Sequence, residues 1–200
     1  MNRRTRMGAA QRRAQLLDVA GGLFSRHGYH GASMEALADA AGVSKPVLYQ
    51  HFPSKRHLYL ALVTGALSGL QEHIREALEG TTDNKARVEG AIGAYFDFVE
   101  DPRFRLLFTT AELADDTVRG AFEQVTSGLA ATVAGLIGQD AGLSQRSAQF
   151  LATAVLGLAV DGARWWVEHP DVDKDEAVRL LTRLVWRGLG SFTPSQVSDA

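Results

Sequence analysis

Ser33-Met34-Glu35-Ala36-Leu37-Ala38-Asp39-Ala40-Ala41-Gly42-Val43-Ser44-Lys45-Pro46-Val47-Leu48-Tyr49-Gln50-His51-Phe52-Pro53-Ser54-Lys55 holds two short helical periods parted by a glycine. Ser33 takes the N-cap position of a helix whose apolar stripe is Met34, Leu37, Ala38 and Ala41. Gly42-Val43 makes a tight turn. Ser44 starts a further helix through Phe52, and Pro46 near its start is tolerated because first-turn amides have no intrahelical partner. Pro53 and Ser54 break and restart the chain. Helix, glycine turn and helix within residues 33–52 is the layout of a helix-turn-helix reader of DNA.

The pattern also assigns faces. Val47, Leu48 and Phe52 form the buried side of the second short helix, which leaves Lys45, Tyr49, Gln50 and His51 pointing elsewhere. Glutamine pairs bidentately with adenine, and lysine donates to guanine or phosphate. Tyrosine and histidine more often bond phosphate oxygens, which positions a protein without specifying sequence. Ser33 and Ser54, at helix N-termini, add amide donors suited to phosphate. Lys55 and Arg56 extend the positive rim. Each residue has an ordinary role too: Tyr49 as half-buried packing, His51 as a cap beside Phe52, the lysines as solvated charges.

Helical periodicity runs outward in both directions, and no alternating strand pattern appears. Upstream, residues 10–27 carry Leu16, Val19, Ala20, Leu23 and Phe24 at helical spacing, with Gly28 as the stop. Downstream, a long helix from Ser54 buries Tyr59, Leu62, Val63, Ala66, Leu67, Leu70, Ile74 and Leu78. A loop at residues 80–84 follows, then helices at 84–100, 102–113, 115–138, 144–168 and 174–191. Pro102 and Ser144 mark starts, and Asp173 with Glu176 has the spacing of a capping box. The expected class is all-α.

With 200 residues, 46% of them hydrophobic and 22% charged, the chain can bury a sizeable core unaided. It has no cysteine, which excludes disulfides, thiolate metal sites and a cysteine nucleophile. The total charge of −2 conceals an asymmetry. Residues 1–60 carry nine Lys/Arg against three Asp/Glu, and the remainder carries twelve against twenty. A basic head on an acidic body is expected where only one end meets a polyanion. The N-terminus lacks a secretory pattern. The longest apolar stretch, residues 150–160, is interrupted at Asp161 and Arg164, short of the ~20 apolar residues a spanning helix needs. It reads as a buried core helix, with no membrane segment and a cytoplasmic location.

The run Leu23-Phe24-Ser25-Arg26-His27-Gly28-Tyr29-His30-Gly31-Ala32-Ser33-Met34, followed by Gly42 through Lys55 with its Leu48-Tyr49-Gln50-His51-Phe52 element and Lys55, resembles the TetR (tetracycline-repressor-like) family of regulators. Sequence similarity covers residues 10–60; beyond that the resemblance is architectural. It implies a helix-turn-helix DNA-binding domain with a basic N-terminal arm at residues 1–56. A helical ligand-binding and dimerisation domain would occupy 57–200. On the family's pattern Ser33, Ser44, Lys45, Pro46, Tyr49, Gln50, His51 and Lys55 align with operator-contacting positions. Arg3, Arg4, Arg6, Arg12 and Arg13 would form an arm along the backbone or minor groove, or a solubilising tail. Gly21-Gly22 departs from the family, which more often has helix formers there; each internal glycine costs about 1 kcal/mol relative to alanine.

The resemblance further implies a ligand-released repressor that binds a palindromic operator in double-stranded DNA as a homodimer joined through its last two helices. The effector would be a small molecule, and no cofactor or metal is expected. Candidate pocket residues are Tyr95, Phe96, Phe104, Phe108, Phe122 and Phe150, with Glu112, Asp161 and Trp165 to orient a ligand. This suggests an apolar effector, although an aromatic stripe at helical spacing is more often plain core. For Asp161 the plain alternative is an ion pair with Arg164. Two rivals remain: a ligand-independent architectural DNA binder, and a helical enzyme, for which no catalytic motif is visible.

Overall fold

The computed structural model describes residues 8–105 and 116–189. The arginines of residues 1–7 and the later part of the helix expected at 102–113 lie outside the described residues. Among the described residues there are nine helices and no strand: α1 Ala9–Gly31, α2 Met34–Ala40, α3 Lys45–His51, α4 Lys55–Glu79, α5 Asn84–Glu100, α6 Pro102–Arg105, α7 Asp116–Ala141, α8 Gln145–Glu168 and α9 Lys174–Leu189. They fall into two compact units, one ending at Ala66 and including Pro102–Val118, the other taking Leu67–Asp101 and Arg119–Ala200. The border between the compact units lies inside α4; the family resemblance implied a domain division just before residue 57.

The first unit is built on the stripe of α1. Leu16, Ala20, Leu23 and Phe24 are buried together with Leu37 and Ala38 of α2, Leu48 of α3, Phe52 and Leu58. Phe24 meets the Tyr59 ring edge-on, centroids 5.4 Å apart at 88°, a favourable aromatic geometry. Removing such a side chain leaves a cavity and costs roughly 3–5 kcal/mol. The backbone turns where glycine permits it: Gly28 has φ 70° and kinks α1, and Gly42 has φ 63° between α2 and α3. Ser33 Oγ accepts from Ala36 N at 3.1 Å, capping α2.

Gly21 has a packing reason. A Cβ there would come within 3.3 Å of Arg103 Cδ, so the bare backbone of α1 lets the stem of Arg103 lie across it. The guanidinium then reaches Asp18 at 2.8 Å.

The second unit buries Leu67, Leu70, Ile74 and Leu78 of α4 with Ile92, Phe96 and Val99 of α5, Leu129 and Ala134 of α7, and Val185 of α9. Helix starts are capped by side chains: Asp83 Oδ1 accepts from Lys85 N, Ser144 Oγ from Ser147 N, and Asp173 Oδ1 from Glu176 N. Lys174, at the start of α9, donates to Asp97 and Glu100 near the end of α5 at 2.8 and 2.7 Å. Both carboxylates hydrogen-bond its ammonium and raise its pKa.

α8 is arranged differently. Its buried positions are alanines, Ala148, Ala152, Ala159 and Ala163, while Phe150, Leu158 and Trp165 are exposed. Small residues let its backbone approach a neighbour closely, and a Cβ on Gly162 would sit 3.4 Å from Leu181 of α9. By length and composition alone α8 is apolar enough to cross a membrane, and only 17% of that stretch is buried. The sequence pattern led to the expectation of a buried core helix. The structure corrects it: α8 buries a narrow alanine edge and leaves its bulky side chains outward.

Candidate nucleic-acid interface

α3 is held from beneath by Leu48 and from its C-terminal end by Phe52, 1% and 2% exposed. Arg13 of α1 lies over the Phe52 ring, its Cζ 4.9 Å from the centroid. With that side fixed, helical spacing turns Lys45, Pro46, Tyr49 and Gln50 outward, and all four are exposed. Tyr49 is 47% exposed, which leaves about half of the residue open to a partner. Val47 and His51 are half-buried. Ser44 stands at the N-cap of α3, exposed and without a side-chain cap bond, leaving its hydroxyl available. Ser44, Lys45, Pro46, Tyr49, Gln50 and His51 therefore cluster on the short helix and its N-cap, while Ser33 stands at the N-cap of α2.

Lys45 is engaged within the head. Its ammonium lies 2.6 Å from the Glu35 carboxylate of α2, both side chains more than half exposed. The hydrogen bond from Lys45 holds the Glu35 carboxyl below its usual value, and the same bond raises Lys45. Glu35 escaped the sequence reading; its signal was an acid in the first turn of α2 within a basic segment.

Lys55 does something other than extend an exposed rim. Its Nζ donates to the carbonyls of Tyr29 and Ala32, both at 2.8 Å, and sits 4.5 Å from the Tyr29 ring centroid. The start of α4 is thereby tied to the end of α1. Ser54 is also occupied locally: its Oγ accepts from His57 N at 3.3 Å and lies 2.9 Å from His57 Nδ1. Arg56 donates to Thr117 Oγ1 at 2.8 Å.

The pocket candidates divide. Within the second unit a cavity of about 80 Å³ is lined by Leu70, Ile74, Ile92, Leu129, Val155 and other apolar side chains of α4, α5, α7 and α8. Tyr95 and Phe122 line it; burial pushes the Tyr95 phenol up, which keeps it neutral. Phe96 is core, 1% exposed and 5.4 Å from the Trp166 ring. Phe150 and Trp165 are 72% and 52% exposed and do not line the cavity. Asp161 is exposed too, with Arg164 3.4 Å away, the ion pair that was its plain alternative. Phe108 and Glu112 lie outside the described residues, as does the Phe104 side chain. Among the described residues no group of three or more His, Cys, Asp or Glu converges as a metal site.

Comparison with known proteins gives the same assignment. Residues 16–62 match the family described as bacterial regulatory proteins, tetR family, and residues 97–190 match the MftR C-terminal domain. The HTH-type transcriptional activator FasR of Mycolicibacterium smegmatis is 40% identical over 192 residues, covering 94% of this chain and 88% of that protein. The HTH-type transcriptional repressor KstR2 of Mycobacterium tuberculosis is 32% identical over 183 residues, covering 92% and 82%. The crystal structure of a TetR-like regulator from Rhodococcus sp. RHA1 superposes with a TM-score of 0.74 at 26% identity, covering 93% of this chain and all of that one. Identity at this level over nearly the whole length, joined to the exposed reading helix, makes the chain a member of the tetR family of bacterial regulatory proteins and a DNA-binding transcriptional regulator.

Proposed function

We propose that this regulator binds a palindromic operator as a homodimer and is released from it by a small apolar effector. α3 enters the major groove, where Gln50 reads base edges, Lys45 reaches guanine or phosphate, and Tyr49, His51, Ser33 and Ser44 hold phosphates. Pro46 fixes the entry of α3. Lys55 acts on this surface as a positioning residue, through the carbonyls it holds. The observation that carries the reading is the pairing of exposed Tyr49 and Gln50 with buried Leu48 on one two-turn helix. One relative is named as an activator and another as a repressor; the repressor reading is the one proposed for this chain. The work belongs in the cytoplasm, beside the chromosome.

The dimer reading rests on apolar surface that one chain does not cover. Leu180 and Leu184 of α9 are 58% and 60% exposed, and α8 adds Phe150, Leu158 and Trp165. Burying such side chains against a second copy recovers roughly 1.5–3 kcal/mol each. The effector reading rests on the cavity beside Tyr95 and Phe122, since an apolar void of this kind stays dry and admits apolar guests. α4 contributes residues to both units, so a guest that favours one setting of this helix shifts the spacing of the two reading heads. Gel shifts test it: an apolar ligand weakens duplex binding by the native protein. Val125→Trp, which fills the cavity, keeps duplex binding and loses that response. A response undiminished by Val125→Trp contradicts the effector site.

A further inference from the structure

α9 has three faces. Thr182 and Val185 are buried, Leu180 and Leu184 are exposed, and Arg179, Arg183 and Arg187 recur at four-residue intervals along a row that drifts toward the leucines. Like charges at that spacing repel one another, and among the described residues no acid forms an ion pair with any of the three. Lys85 of α5 stands across from them. Together with Glu89 and Trp186 these cations line a hollow of about 380 Å³ between α5 and α9. Thr182 lines it too, and its buried Oγ1 has no hydrogen-bond partner. A buried hydroxyl left unmet is unfavourable, and here it lies among four cations and one carboxylate, that of Glu89.

We propose that this hollow is an anion site that takes a phosphate group of a small molecule. Arg179 and Arg183 supply planar forks that match phosphate oxygens, Lys85 a point charge, Thr182 a neutral donor, and Trp186 a flat wall. A concavity of this size suits a small ligand better than a duplex backbone. By helical spacing Arg179 and Trp186 turn away from the Leu180–Leu184 stripe while Arg183 and Arg187 flank it, so a partner on those leucines leaves the Arg179–Trp186 side of the hollow open. Trp186 also borders an apolar hollow of about 210 Å³ with Leu136, Ile137 and Leu151. The phosphate therefore belongs either to a free metabolite or to the head of a molecule whose hydrocarbon continues past Trp186.

Calorimetry on the full-length protein tests the site, with inorganic pyrophosphate, decyl phosphate and decanol as probes. Pyrophosphate is expected to bind the native protein, more weakly as salt rises. The double variant Arg179→Gln/Arg183→Gln loses at least tenfold, and Thr182→Val loses severalfold while Thr182→Ser does not. The control Arg146→Gln/Arg164→Gln on α8 leaves binding unchanged, and circular dichroism confirms that each variant is folded. Decyl phosphate binding tighter than both pyrophosphate and decanol assigns the site to a head group; affinity equal to pyrophosphate assigns it to a free metabolite. No pyrophosphate binding at millimolar concentration overturns the proposal, as do equal losses in both double variants. Loss of duplex affinity in Arg179→Gln/Arg183→Gln with pyrophosphate binding intact overturns it as well, since the stripe is then a nucleic-acid surface.

Discussion

Asp18 and Arg103, 85 positions apart in sequence, meet at 2.8 Å and join α1 of the reading head to α6. The stem of Arg103 runs over Gly21, and this contact gives the glycine pair of α1 different characters. A Cβ on Gly21 meets Arg103 Cδ at 3.3 Å, whereas one on Gly22 meets only the Arg26 guanidinium at 3.5 Å. Gly22→Ala is expected to raise unfolding stability by about 1 kcal/mol through helix propensity. Gly21→Ala gains less, because the Arg103 stem has to give way. Urea unfolding of both variants checks the order, and a larger gain for Gly21→Ala contradicts the contact.

Glu35 competes with DNA for Lys45. Glu35→Gln frees the ammonium, so duplex affinity rises and the slope of log affinity against log salt steepens by about one charge. The pH sense follows from the lowered Glu35 pKa: the pair is intact at neutral pH and is lost as pH falls through that lowered value. Fluorescence anisotropy across a salt series reads the slope. An unchanged slope shows that Lys45 does not reach phosphate.

Lys55 is predicted to act through the fold. Lys55→Ala removes two charge-assisted bonds to the carbonyls of Tyr29 and Ala32, at a cost of roughly 1.5–3 kcal/mol each at most. Thermal unfolding should show the loss, and weakened duplex binding should recover on cooling. Full stability with lost DNA binding would instead make Lys55 a direct contact.

The exposed leucines of α9 are predicted to be the seam between two copies. Leu180→Glu/Leu184→Glu should convert a dimer into a monomer in light scattering at micromolar concentration and lower operator affinity more than tenfold. A variant that stays dimeric places the seam elsewhere.

How far the sequence could be read follows from the range of each signal. Ser33, Gly42, Ser144 and Asp173 act within four residues, and the structure shows the caps and the turn where the pattern put them. Leu48 and Phe52 are likewise buried as helical spacing requires. Lys55 with Tyr29, Arg103 with Asp18, and Lys174 with Asp97 are joined across 26, 85 and 77 positions, and no local pattern announces them. Among the pocket candidates Tyr95 and Phe122 line the cavity, whereas Phe150 and Trp165 do not, for a third reason. A broad apolar helix such as α8 does not reveal which stripe its own chain covers, and here the alanines face inward while Phe150 and Trp165 face out. Bulk suggested the core, but close helix approach selected small residues.

Footprinting on a duplex selected from random sequence bears most directly on the reading helix. The native protein should protect two dyad-related stretches centred one turn apart, ~34–36 Å, and Tyr49→Ala/Gln50→Ala, still folded, should lose both. Continuous protection without a dyad, unchanged by that double substitution, would contradict the placement of α3 in the major groove.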